Sequence, residues 1–230
     1  MLAAADVMTT DVVTVVPETP VRDIARLLHT KRISGVPVVS PDNRVIGIVS
    51  EGDLIGHAQI VGEPRRSWWL RLFDDENTLA REYAKTHARV AQDVMTSTVI
   101  TATPTASLAE IAKTLEHHRI KRVPVVRDGK LVGIVTRSNL LQALAAADVS
   151  KPASLDDRTI RERLLKELDA QPWTHMLTKN IVVQDGVVHL WGLVQTNEER
   201  HALRVAAENT PGAKSVEDHL RQYRVPVAGE

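Results

Sequence analysis

Ser50 and Asp53 stand three residues apart where a β-branched run gives way to a helical pattern. At such a junction a hydroxyl, the open amides of a helix N-terminus and a carboxylate share one space. The amides favour a phosphate, and the carboxylate can accept both hydroxyls of a ribose. The same spacing returns as Thr136 and Asn139, with an amide where the acid stood. An amide can bond a ribose hydroxyl, but without charge assistance. A pair of cations, Lys121 and Arg122, precedes the second set, where Ser34 and Gly35 hold the equivalent places in the first.

The recurrence is one part of an internal repeat, which fixes architecture before any local reading. Asp6-Val7-Met8-Thr9 returns as Asp93-Val94-Met95-Thr96, at an offset of 87. Pro17 and Pro104, Ile24-Ala25 and Ile111-Ala112, Arg32-Ile33 and Arg119-Ile120 keep that frame, as do Val36-Pro37-Val38-Val39 and Val123-Pro124-Val125-Val126. One deletion later, Gly47-Ile48-Val49-Ser50 meets Gly133-Ile134-Val135-Thr136. Each copy reads as a leading strand (12–16 or 99–101), a helix (21–29 or 108–117), two strands (36–40 and 45–50, or 123–127 and 131–136) and a second helix. Asp128-Gly129 is a two-residue hairpin signal. The pattern is β-α-β-β-α, twice.

The motifs D-V-M-T, h-x-x-h-P-V-V and G-I-V-[ST]-x-x-[DN]-L resemble the CBS domain, and the pair resembles a Bateman module, over about residues 1–148. The resemblance implies one pseudo-twofold module that often dimerises, with clefts for adenine-containing ligands such as AMP, ADP, ATP or S-adenosylmethionine. Carried onto this chain, it places Ser50, Asp53, Thr136 and Asn139 at ribose and helix N-terminus, and Lys121 and Arg122 at phosphate. Thr14, Ile33 and Pro37, with Thr101, Ile120 and Pro124, fall on the adenine side. Asn139 departs from the family's Asp, and the first copy lacks the cations. One good site and one weak or empty one are expected.

Lys+Arg and Asp+Glu balance at 29 each, so no long-range field draws the whole chain to nucleic acid or an anionic membrane. The lack of Cys excludes disulfides, thiolate metal sites and cysteine nucleophiles. No run nears the roughly 18 apolar residues of a membrane span, and the N-terminal residues do not read as a signal peptide. A cytoplasmic protein is expected. Residues 57–92 separate the copies. Arg65, Arg66, Trp68, Trp69, Arg71 and Phe73 cluster there ahead of a helical pattern over 78–90. This insert reads as a cover for the module or a dimer contact, with a docking surface for a partner, membrane or single strand as the other readings.

After a linker (149–155) the pattern changes. A helix (157–168), strands 181–183 and 187–192 around Asp185-Gly186, a helix 197–209 and a strand 215–220 follow. The signature I-x-V-x-D-G-x-V-x-L-x-G-x-V, then E-R and P-G-A-x-x-V, resembles a BON domain over 156–224. That family is associated with phospholipid surfaces, small ligands and other proteins. Ten Lys/Arg against eleven Asp/Glu over the same span give little support to attachment by charge alone. His175, His189, His201 and His219 lack ligand-like spacing and read as surface or core histidines. The domain limits expected are therefore 1–56, 57–92, 93–148, 149–155 and 156–224, in an α/β (α+β) chain.

Nucleophile–base pairs, P-loops and zinc-protease motifs are absent from the sequence. The expectation is a regulatory, non-catalytic protein without a metal or required cofactor. Its repeat pair would take an adenine-containing molecule, dimerise, and act through an unidentified protein or membrane-surface partner of the BON-like domain. Nucleic acid is not expected as a partner. A scaffold that only dimerises is the alternative.

Overall fold

The β-branched runs of each repeat fold back on themselves as antiparallel hairpins, and the amphipathic runs beside them become helices. A computed structural model describes residues 2–55, 89–146, 153–174 and 179–222. In chain order the helices are α1 (Ala4–Val7), α2 (Val21–Lys31), α3 (Ala91–Val94), α4 (Leu108–His117), α5 (Arg137–Ala146), α6 (Leu155–Asp169) and α7 (Asn197–Asn209). The strands are β1 (Gly35–Val39), β2 (Val45–Ser50), β3 (Arg122–Arg127), β4 (Lys130–Thr136), β5 (Lys179–Gln184), β6 (Val187–Val194) and β7 (Ser215–Gln222). Residues 51–55 are also helical. The Arg/Trp stretch of the insert lies outside the described residues. So does the helix expected over 78–90, except for Arg89 and Val90, and Val90 forms a bridge with Pro20.

The chain divides into two compact units that cut across the sequence repeats. One holds Val13–Ile100 and Asp128–Leu131; the other holds Met1–Val12, Thr101–Arg127 and Val132–Glu230. In the first, Ile24 and Leu28 on one face of α2 pack with Val36, Val38 and Val49 of the β1–β2 hairpin and with Ala91 and Val94 of α3. In the second, Leu108, Ile111 and Leu115 of α4 pack on Val123, Val125 and Val135, and on Leu2, Ala4, Val7 and Met8. The leading segment of each repeat therefore packs with the other repeat's hairpin. Thr9 exchanges both backbone bonds with Ile134 (3.0 Å each), and Thr96 does so with Ile48 (3.1 and 2.9 Å).

Glycine makes this close approach possible. A Cβ at Gly133 would overlap the Met8 side chain and lie 3.1 Å from the Thr9 carbonyl oxygen, and one at Gly47 would overlap Met95. The leading strands expected over 12–16 and 99–101 are not strands. Val15 keeps a single parallel bridge with Val38, residues 99–101 form none, and the next residue, Ala102, bridges Val125; turns at Pro17 and Pro104 then end each segment.

The C-terminal part is a three-stranded sheet in the order β5-β6-β7, antiparallel then parallel. Asp185-Gly186 has positive φ at both turn positions (54° and 82°), the type I′ geometry its dipeptide favours. Helices α6 and α7 cover one face, burying Ile160, Leu164, Leu168 and Leu203 on Ile181, Val188 and Leu190. On the opposite face of β5, Val182 joins the core of α1, α4 and α5.

Asp157 ties α6 to this sheet. Its Oδ1 accepts the Gly186 amide at 2.8 Å and its Oδ2 accepts the Ser154 amide at 3.1 Å. Burial works to raise this carboxyl, but the Gly186 amide and Ser154 outweigh it and hold the pKa below 3.8. The carboxylate's contribution is thus full above that value and is lost as pH falls through the lowered one. Asp157→Ala should cost about 1–3 kcal/mol near neutrality. In urea unfolding, the gap between wild type and variant should narrow as pH falls below 3.8.

Candidate functional site

Ser50 closes the β1–β2 ladder opposite Gly35, and the chain turns there into helical residues 51–55. The Glu51 amide donates to the Ser34 carbonyl (3.1 Å), which pins the turn. The Ser50 amide and hydroxyl both donate to Asp53 Oδ2, at 2.8 and 2.6 Å. A carboxylate offers about four acceptor positions, so Asp53, half-buried, retains capacity for a diol. Thr14 precedes Val15, whose amide donates to the Pro37 carbonyl at 3.1 Å. Half-buried Ile33 packs against the same core. The fold thus brings the first copy's predicted residues to one unit.

The second copy repeats the turn with different chemistry. The Thr136 amide and hydroxyl donate to Asn139 Oδ1, at 2.8 and 2.7 Å. Asn139 Nδ2 then donates to the Val7 carbonyl (3.2 Å) and the Thr9 hydroxyl (3.3 Å). At 3% exposure, this side chain is wholly engaged in holding the leading segment. A ribose hydroxyl there would have to displace one of those bonds. Lys121 is exposed, and its carbonyl accepts the Arg137 amide (3.3 Å). Its neighbour Arg122 is buried instead, so the two cations do not form one solvated face. Thr101 is exposed, Ile120 packs against the core, and the Pro124 carbonyl accepts the Ala102 amide at 2.9 Å.

Sequence reasoning missed two further constellations. Asp6 of the first D-V-M-T caps its own turn by accepting the Ala3 amide (2.9 Å) and forms a bidentate pair with Arg158 of α6 (2.8 and 3.2 Å). That bond and the Asp6 charge raise the Arg158 pKa. One turn on, buried Arg161 donates to the carbonyls of Ile181 (2.8 Å) and Met8 (2.7 Å). Burial pushes its pKa down to about 10, against the opposing charges of Asp6 and Glu162, so it stays charged at neutral pH. Asn180 of β5 donates to Gln142 of α5 (2.7 Å). The D-V-M-T repeat was visible in the sequence; that one copy serves α6 was not.

The second constellation brings together two of the four C-terminal histidines, which read as surface or core residues; His201 is exposed and His175 lies outside the described residues. His189 on β6 lies beside Glu217 and His219 on β7. Burial pushes the His189 imidazole pKa down, against the Glu217 charge. The available signal was the period of two between Glu217 and His219, but its partner strand is set by the parallel register. Among the described residues, no helix is long and apolar enough to cross a membrane.

Residues 4–59 and 90–146 match the CBS domain, and residues 156–222 match the BON domain. CBS domain-containing protein CBSX2, chloroplastic, of Arabidopsis thaliana is 34% identical over 135 residues, 55% of this chain and 56% of that protein. The chain therefore spans little more than half the length of that relative. An uncharacterised protein of Methanocaldococcus jannaschii is 34% identical over 138 residues, 53% of this chain and 79% of the archaeal one. The crystal structure of CBSX2 in complex with AMP is similar at a TM-score of 0.54 and 31% identity, covering 63% of this chain and 97% of that one.

The geometry of Asn139 yields a direct expectation. Asn139→Asp, nearly isosteric, removes both Nδ2 donors and sets a carboxylate against the Val7 carbonyl. It should destabilise the unit by about 1–3 kcal/mol, measured as a lower urea midpoint at unchanged slope. An unchanged midpoint would show the bonds to be dispensable.

Proposed function

Because the chain belongs to the CBS-domain family and ends in a BON domain, we propose that it is a non-catalytic regulator that binds an adenine-containing molecule in its first repeat. The observation that carries this reading is the pairing of Ser50 with Asp53 at a strand-to-helix turn, in a chain similar to a protein crystallised with AMP. Asp53 accepts the ribose hydroxyls, and Thr14, Ile33 and Pro37 face the base. In the second repeat, Asn139 is committed to the leading segment, and Lys121 supplies a cation without a ribose acceptor. That half-site is the weaker of the two. The ligand's preference for one packing of the repeats over another limits any signal it sends.

AMP, ADP, ATP and S-adenosylmethionine are the compounds to titrate. By calorimetry, one of them should bind at one tight site per chain. At 100 times its dissociation constant it should stabilise the fold by about 2.7 kcal/mol. Asp53→Ala should weaken binding by at least about tenfold, the loss of one charge-assisted bond. Two equal tight sites, or flat thermal curves for all four, would contradict the proposal.

Homodimerisation through the repeats is the second part of the reading. Leu141 and Leu144, one turn apart on α5, are 68% and 67% exposed, an apolar surface that a second copy would cover. Light scattering should give twice the chain mass for the wild type and a single chain mass for Leu144→Glu. A monomeric wild type would remove the dimer from the proposal and leave the ligand site standing.

A further inference from the structure

Parallel pairing of β6 with β7 sets His189 beside Glu217 and Trp191 beside His219. The two-residue period of β7 sends Glu217 and His219 to the same sheet face, away from the core residues Val188, Leu190 and Leu220. Three ligand-type atoms meet there. His189 Nδ1 lies 3.3 Å from Glu217 Oε2, His219 Nε2 lies 3.5 Å from the same oxygen, and the two nitrogens are 3.4 Å apart.

These lengths discriminate between explanations. A good N–H···O bond is about 2.9–3.0 Å, so all three edges are long for hydrogen bonds. In a tetrahedral zinc site with bonds of about 2.0–2.1 Å, neighbouring ligand atoms stand about 3.3–3.4 Å apart. The triangle therefore has the spacing of three coordination positions around one ion. We propose that His189, Glu217 and His219 bind a single zinc ion on the sheet of the BON domain.

The surroundings suit that role. The His189 side chain is 7% exposed, His219 33% and Glu217 57%, so the ion has one anchored ligand and a fourth position open to water. The Trp191 ring lies 3.9 Å from the His219 ring and within 13° of parallel, which fixes the imidazole plane. Two imidazoles with one carboxylate suit zinc, copper or nickel. They do not suit magnesium or calcium, which take oxygen ligands. The site would join neighbouring strands on the face that also carries Val182, the residue of β5 buried against the second repeat.

The test is a zinc chloride titration of the chelator-stripped full chain, competed with a chromophoric chelator, with magnesium chloride as the control. One zinc per chain is expected, and none of it displaced by magnesium. His219→Ala should abolish binding. Glu217→Gln should weaken it by at least the roughly tenfold lost when a merely supporting residue is removed. His201→Ala, an exposed histidine of α7 outside the cluster, should change nothing. Anomalous diffraction at the zinc edge should place the ion within about 2.0–2.2 Å of all three atoms. Glu217 is exposed, so its variant decides the question even if His219→Ala does not fold. No zinc uptake overturns the proposal, and so does uptake that both variants leave unchanged, which marks adventitious binding at other histidines.

Discussion

A guanidinium removed from water keeps its charge and its donors, so protein must supply every partner. Arg161 meets that demand with the carbonyls of Met8 and Ile181, one from the leading segment and one from the BON sheet. One helical turn earlier, Arg158 holds Asp6 with both ends of its fork. A buried hydrogen bond to a charged group contributes about 1.5–3 kcal/mol, and less at Arg158, whose side chain is 47% exposed. Helix α6 therefore cannot slide along the leading segment without leaving a charge unanswered. The second repeat and the BON domain consequently belong to one compact unit.

Much of this was legible beforehand. Helices 108–117 and 197–209 appear at the expected limits, because their ends carry hydrophobic spacing and, at Ser107 and Thr196, capping hydroxyls. Asp185-Gly186 announced its hairpin through two residues that tolerate positive φ. The leading strands misled because β-branched composition signals extended backbone, while only tertiary pairing makes a strand. The crosswise packing of Met8 on Gly133 and Met95 on Gly47 could not be read at all. Self-similarity says that two segments are alike, not which copy each one joins.

The candidate site was legible in its residues and not in their employment. Ser50–Asp53 and Thr136–Asn139 form the same turn, as equal spacing implied. Yet the amide that looked like a weakened ribose ligand is a tether, because only a side chain with donors can reach the Val7 carbonyl 132 residues away. One atom type separates a side chain that only accepts, as Asp53 does, from one that also clasps the leading segment, as Asn139 does. The His189 group shows the complementary limit. Its members are 28 and 30 residues apart in sequence, and only the register of β6 against β7 makes them neighbours.

The crosswise packing also sets an order of events during biosynthesis. Residues 2–12 leave the ribosome long before β4 and α5, the elements they pack against. At roughly 5–20 residues per second, the 132 residues between Val7 and Asn139 take about 7–26 s to make. Until α4 and β3 have followed, Leu2, Val7 and Met8, buried in the finished fold, have no native cover. The first repeat faces a similar wait, since α3 and Thr96 arrive only after its hairpin is complete. The leading segment is thus made well before α4, β3, β4 and α5, the elements that cover it.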